Sequence, residues 1–233
     1  MKNFCTFSAH SSPHDDTLSD YLFKTKAMLQ RTKGRLLLTL LVISGLAGTL
    51  KNTSISKKER KYSINLMKDT KTDVLQTVKG LTDAQLNFKP SAESWSVKEC
   101  MYHIAITEKS LWGMLEGAMK AGANPEKRSE IKTTDEQLVA MIESRENKVK
   151  TMAPYEPQNT GYKTMDEALN DFKAKRTEHI KYIKATTEDL RNHVIQMPFG
   201  YIDCYQLGLM IASHSERHRK QMEEIKTNVN YPK

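Results

Sequence analysis

The stretch "IASHSERHRK" (211–220) places His214 and His218 four residues apart. Both continue an apolar series, Leu207, Met210 and Ile211, by steps of three and four. Residues i and i+4 stack on one helix face, so both imidazoles are expected to point toward a core. Two buried neutral imidazoles carry four ring nitrogens, and each needs a partner. A divalent metal satisfies two of them together; backbone groups and water do so separately. His103 lies between Cys100 and Ile104 and shares the inward side of a second predicted helix. Three neutral histidines from two helices would make an open site, with three protein ligands and one water. Core histidines satisfied by backbone and water are the alternative, and spacing alone leaves both readings open.

Other groups fall around this constellation. Gln221, three residues after His218, is placed to orient it from behind. Glu108 and Glu216, and less directly Glu116, are the candidate catalytic bases, although carboxylates on bundle helices are ordinarily solvated. His179, beside Ile180, reads as a boundary residue, and His193 as a solvated connector residue. Trp95 and Trp112 read as packing. Cys5, Cys100 and Cys204 have no metal or redox spacing. Cys100 reads as a small buried hydrophobe, with a Cys100–Cys204 disulfide open to an oxidising compartment. Phosphate-binding glycine loops, a nucleophile elbow and a basic–aromatic RNA signature are all missing from the sequence.

Helices must position these residues. Ile64, Met67, Val74, Leu75 and Val78 recur at helical steps and predict a helix over about 57–79. Gly80 and Pro90 break it. Ser96 and Glu99 form a capping box that opens the next helix, with Val97, Cys100, Met101, Ile104, Leu111 and Leu115 as its stripe. Gly122 and Pro125 end it. A weaker helix follows in "TTDEQLVAMIESRENKV". Thr164 and Glu167 then open another, striped by Leu169, Phe172, Ile180 and Ile183. The segment "EDLRNHVIQMPFGYI" reads as a connector. The last helix, about 203–227, has Asp203 as its candidate cap. No segment alternates convincingly as a strand. The fold class is therefore all-α, a helix bundle.

The chain has 233 residues, 27% charged, with a mean hydropathy of −0.61 and a formal charge of +8. Residues 51–233 carry 30 lysines and arginines against 25 acidic residues, and these are interspersed along the helices. That distribution argues against a dedicated nucleic-acid surface. In residues 28–55, Arg31, Lys33 and Arg35 precede a largely apolar run of 15 residues, Leu36–Leu50. This is the pattern of a secretory signal, and the run is short for a membrane span of about 20 residues. The expectation is an exported protein, periplasmic or extracellular, with an uncleaved N-terminal membrane anchor as the alternative. Residues 1–27 are unusual ahead of a signal. They read as disordered, or as a mis-assigned start with translation beginning at Met28. Residues 56–228 form the body.

Two segments carry a resemblance. "NFKPSAESWSVKECMYHIAITE" (87–108) is similar to the stretch of DinB-like (DinB/YfiT-type) proteins in which a tryptophan and a serine open a helix and a histidine follows inside it. "IASHSERHRKQMEEI" (211–225) resembles that family's closing H-x-x-x-H-x-x-Q helix. The resemblance covers about 57–227. It implies an up-and-down four-helix bundle in which His103, His214 and His218 bind a divalent metal, zinc or nickel. Some relatives transfer low-molecular-weight thiols or isomerise maleylpyruvate. Reduced thiols are cytosolic, so an exported member would lack that cosubstrate.

The functional expectation is a metal-dependent transferase or hydrolase acting on a small molecule. The alternative is a non-catalytic, exported, stress-associated metal-binding bundle. A homodimer is compatible with such a fold.

Overall fold

The computed structural model describes residues 55–147 and 149–233. The readings for 1–27 and for the signal segment fall outside the described residues.

Six α-helices are present among the described residues: α1 Lys57–Val78, α2 Asp83–Asn87, α3 Val97–Ala121, α4 Asp135–Glu143, α5 Met165–Ala185 and α6 Cys204–Lys226. Each opens with a capping box. The N-caps are Ser56, Thr82, Ser96, Thr134, Thr164 and Asp203, each with Glu or Gln at the third helical position. Two otherwise orphaned backbone N–H groups are thus satisfied at every start. The boxes at Ser96, Thr164 and Asp203 confirm the expected openings. The short α2 lies where only a break was expected, started by Thr82 and Gln85. Gly122 closes α3 at φ 94°, a conformation that glycine adopts without strain.

The four long helices form a bundle. Side-chain pairings give their directions. Tyr205 on α6 bonds Glu59 on α1 near both starts, and Thr77 bonds Glu223 near both ends, so α1 and α6 run the same way. Tyr102 meets Tyr162 just ahead of α5, Glu108 meets Arg176 and Trp112 meets Tyr182, so α3 and α5 also run together. Arg60 reaches Ile183 and Lys71 reaches Lys173, so α1 opposes α5. The order of directions is up, down, down, up rather than strict alternation. Parallel α3 and α5 need a long return path, and the segment 122–164 supplies it with α4 and three 3-10 turns.

Helix α6 is the centre. Residues 204–213 are all buried, because α1, α3 and α4 pack around it. Among the described residues no helix is long and apolar enough to cross a membrane.

Three expectations are corrected. Val194–Met197 and Gly200–Asp203 form an antiparallel hairpin, β1 and β2, paired Val194 to Asp203 through Met197 to Gly200. Four-residue strands are too short to show a period of two. Pro198 also interrupts the run, and as a turn residue it costs the ladder nothing. His193 is buried rather than solvated, its Nδ1 2.7 Å from the Asp189 carbonyl oxygen. Cys100 and Cys204 are both unpaired and buried, in separate hydrophobic clusters.

Candidate metal centre

The capping box at Ser96 sets the phase of α3, and that phase turns His103 inward about two turns later. Helix α6 brings His214 and His218 to meet it from the facing side. One ring nitrogen from each of the three lies within 4.8 Å of the others. His103 Nε2 is 3.3 Å from His214 Nε2, and His218 Nε2 is 3.2 Å from the same atom.

The opposite ring nitrogens decide what these close approaches mean. His103 Nδ1 lies 2.7 Å from the Tyr155 carbonyl oxygen, which can only accept, so Nδ1 carries the proton. His218 Nδ1 lies 2.9 Å from Gln221 Oε1, again an acceptor. Thr107 donates its hydroxyl proton to the His103 carbonyl at 2.7 Å, leaving its oxygen to accept from His214 Nδ1 at 3.4 Å. With all three Nδ1 atoms donating, all three Nε2 atoms present lone pairs to one another. Bare lone pairs at such distances repel unless a cation is shared among them. The donor set therefore fits a divalent metal: imidazoles with fixed tautomers, each supported from behind.

Electrostatics keep the rings in the ligand form. Burial lowers the proton affinity of His103 against the opposing pull of the Tyr155 carbonyl. Burial, then His103 and Arg217, pushes His214 down to about 3. Burial and the two neighbouring histidines hold His218 well below the usual range. Trp95 packs on His103 and His218 at ring separations of 4.9 and 5.9 Å, so this packing residue walls the cluster.

Gln221 stands where expected, behind His218. The two candidate bases do not. Glu108 is buried, and both its oxygens bind Arg176, at 2.7 Å each, with His179 on one of them at 2.8 Å. Glu216 is engaged through both oxygens by Arg219 of its own helix. Glu116 accepts from the Trp112 indole N–H. His179 is fully buried rather than at a boundary, stacked on Trp112 at 3.8 Å.

Sequence reasoning missed three contributors. Thr107, four residues after His103, shares its face, and that spacing was the available signal. Arg176 falls between Phe172 and His179 on the buried stripe of α5, so a cation at a core position was legible. Tyr155 acts through its backbone carbonyl, which no residue type encodes.

Comparison with known proteins agrees with this picture. The family model described as the DinB superfamily matches residues 66–222. The chain is 27% identical over 168 residues to YuaE of Bacillus subtilis (strain 168), an uncharacterised protein, covering 71% of this chain and 98% of that one. A solved structure shares the fold with a TM-score of 0.53 at 16% identity, covering 77% of this chain and 92% of the other. That structure is YfiT from Bacillus subtilis, described as a probable metal-dependent hydrolase with an unusual four-helix bundle topology. Two capped helices that deliver three histidines to one point, on this bundle and with this family match, place the chain in the DinB superfamily.

Proposed function

We propose that His103, His214 and His218 hold a divalent metal, zinc or nickel, and that the protein is a metal-dependent hydrolase or transferase acting on a small molecule. The observation that carries this reading is the convergence of three Nε2 lone pairs whose Nδ1 partners are all acceptors. Three protein ligands leave a coordination position open, unlike a closed structural site. When bound, such a metal lowers the pKa of a coordinated water to about 7 or polarises a substrate oxygen. The chain's own residues do the rest. Tyr155, Thr107 and Gln221 fix the three tautomers and ring orientations. Trp95 shields one side from water. Glu108 serves the fold by compensating Arg176. We further propose export of the body, on the signal-like pattern of residues 28–50.

The non-catalytic reading has one observation in its favour: the two candidate carboxylate bases are both fully engaged. Kinetics of the zinc- or nickel-loaded protein on a panel of small esters, amides and thiol–electrophile pairs separates the two. Turnover that disappears in His214→Ala supports the enzyme. A fully loaded protein with no turnover on any of them supports the metal-binding bundle.

A further inference from the structure

The three histidines are held from behind by unlike groups, and one of those groups needs a lock. This inference rests on the metal reading above. The Tyr155 carbonyl can only accept, so His103 Nδ1 must carry the proton. The Thr107 hydroxyl gives its proton to the His103 carbonyl, so it too meets His214 as an acceptor. Gln221 is ambivalent. A primary amide offers an acceptor at one end and two donors at the other, and a half-turn of the group exchanges them. With Oε1 toward His218, Nδ1 donates at 2.9 Å and Nε2 keeps its lone pair. With the NH2 group toward His218, Nδ1 would accept and the proton would sit on Nε2, where it blocks a metal.

That second arrangement gains a bond in the metal-free protein. His218 Nε2 lies 3.2 Å from His214 Nε2, so a proton there would replace two opposed lone pairs with a hydrogen bond. A site built to bind metal must hold Gln221 in the first arrangement.

Arg145 is placed to do so. It lies two residues past the end of α4, and its side chain is 20% exposed. Its Nε and Nη2 donate to Glu224 Oε1 and Oε2 at 3.1 and 2.9 Å. That two-pronged pair fixes the plane of the guanidinium. Nη1 then stands 3.4 Å from Gln221 Oε1, the same oxygen that receives His218 Nδ1–H. A guanidinium donates and never accepts, so it favours the oxygen of the amide and opposes its NH2 group. The relay Glu224–Arg145–Gln221–His218 therefore runs in one sense only.

We infer that Arg145 is a positioning residue of the metal site: by orienting the Gln221 amide it fixes the Nδ1–H tautomer of His218 and keeps Nε2 open to the metal. Two of the three ligands are then supported by residues that lie between α4 and α5, His103 by Tyr155 directly and His218 by Arg145 through Gln221.

The test uses the full chain as wild type, Arg145→Ala, Gln221→Glu and the variant carrying both changes. An ionised carboxylate accepts at both oxygens and needs no orienting, so Gln221→Glu removes the step on which Arg145 acts. Long-range proton–nitrogen NMR of the metal-free proteins at neutral pH reads the His218 tautomer. Competition titration with a chelator reads zinc affinity, and metal-free melting checks folding. Wild type is expected to carry the proton on Nδ1. Arg145→Ala is expected to move it largely to Nε2 and to weaken zinc about fivefold, because zinc must then displace a neutral hydrogen bond. In the Gln221→Glu background the same change is expected to leave the proton on Nδ1 and zinc affinity within about twofold. A His218 tautomer that Arg145→Ala does not move overturns the inference. So does an equal loss of zinc affinity in both backgrounds, since Arg145 would then act through its charge or through the fold. A wild type that takes up no zinc overturns the metal reading, while the tautomer spectra still decide whether Arg145 orients Gln221.

Discussion

Glu108→Ala removes the carboxylate that, alone among the described residues, pairs with the fully buried Arg176 guanidinium. Arg176 is 0% exposed, and every one of its N–H groups has a partner. Nε and Nη2 bind the two Glu108 oxygens at 2.7 Å each. Nη1 serves the Met67 carbonyl and Thr70 on α1, and Nη2 also serves Ser215 on α6 at 2.7 Å. One side chain on α5 thus ties the other three long helices together. Breaking a buried pair from one side costs about 3–5 kcal/mol, because the surviving charge is left uncompensated. At about 2–4 °C per kcal/mol for a chain of this size, the melting temperature should fall by roughly 6–20 °C. The assay is thermal unfolding followed by circular dichroism on the metal-free protein. The pH dependence carries a sign. Burial pushes the Glu108 carboxyl up, but Arg176 and His179 override it, so its folded value is lowered. The clamp is at full strength above the unfolded value of about 4.3 and is lost as pH falls through the folded value. Wild type and variant should therefore begin to converge as pH falls below about 4.3, the unfolded value. Replacing both partners, Glu108→Leu with Arg176→Met, should cost less than the sum of the single changes. A Glu108→Ala loss under about 1 kcal/mol, or full additivity in the double variant, would refute the reasoning.

Three further outcomes follow from the same geometry. Gln221→Ala should lower metal affinity about 10–100-fold by freeing the His218 ring, with little change in metal-free melting; equal affinity in a competition titration would contradict the role. Because the histidines are held neutral, with His214 pushed down to about 3, zinc affinity should stay nearly flat as pH falls from 8 to about 6. A chelator titration showing a steep loss that begins at pH 7 would show ordinary, solvated imidazoles instead. Ser96→Ala should cost about 1 kcal/mol by removing the cap of α3, read as a lowered melting temperature.

How much was legible follows from where each signal resides. The helices were readable because a stripe and a cap are both local: Ser96 with Glu99 sets a start, and Val97, Cys100 and Ile104 set a face. His103, His214 and His218 inherit their direction from those faces, so their convergence needed only two helices to pack. Helix direction was not legible, since it depends on the long path 122–164 rather than on any pattern within a helix. The hairpin at 194–203 escaped because four-residue strands carry almost no periodic signal. The burial of Glu108 and His179 escaped for another reason. Charged and polar types read as solvated unless their partner is known, and Arg176 is 68 residues away in sequence from Glu108.

The central claim is that three histidines from two helices form one metal site. Its most direct test is elemental analysis of the purified full chain after zinc exposure and desalting, wild type beside His103→Ala. The account predicts about one tightly held divalent ion per wild-type chain and a large loss of retained metal in His103→Ala. A wild type that retains none, or a variant that retains as much as wild type, would contradict it.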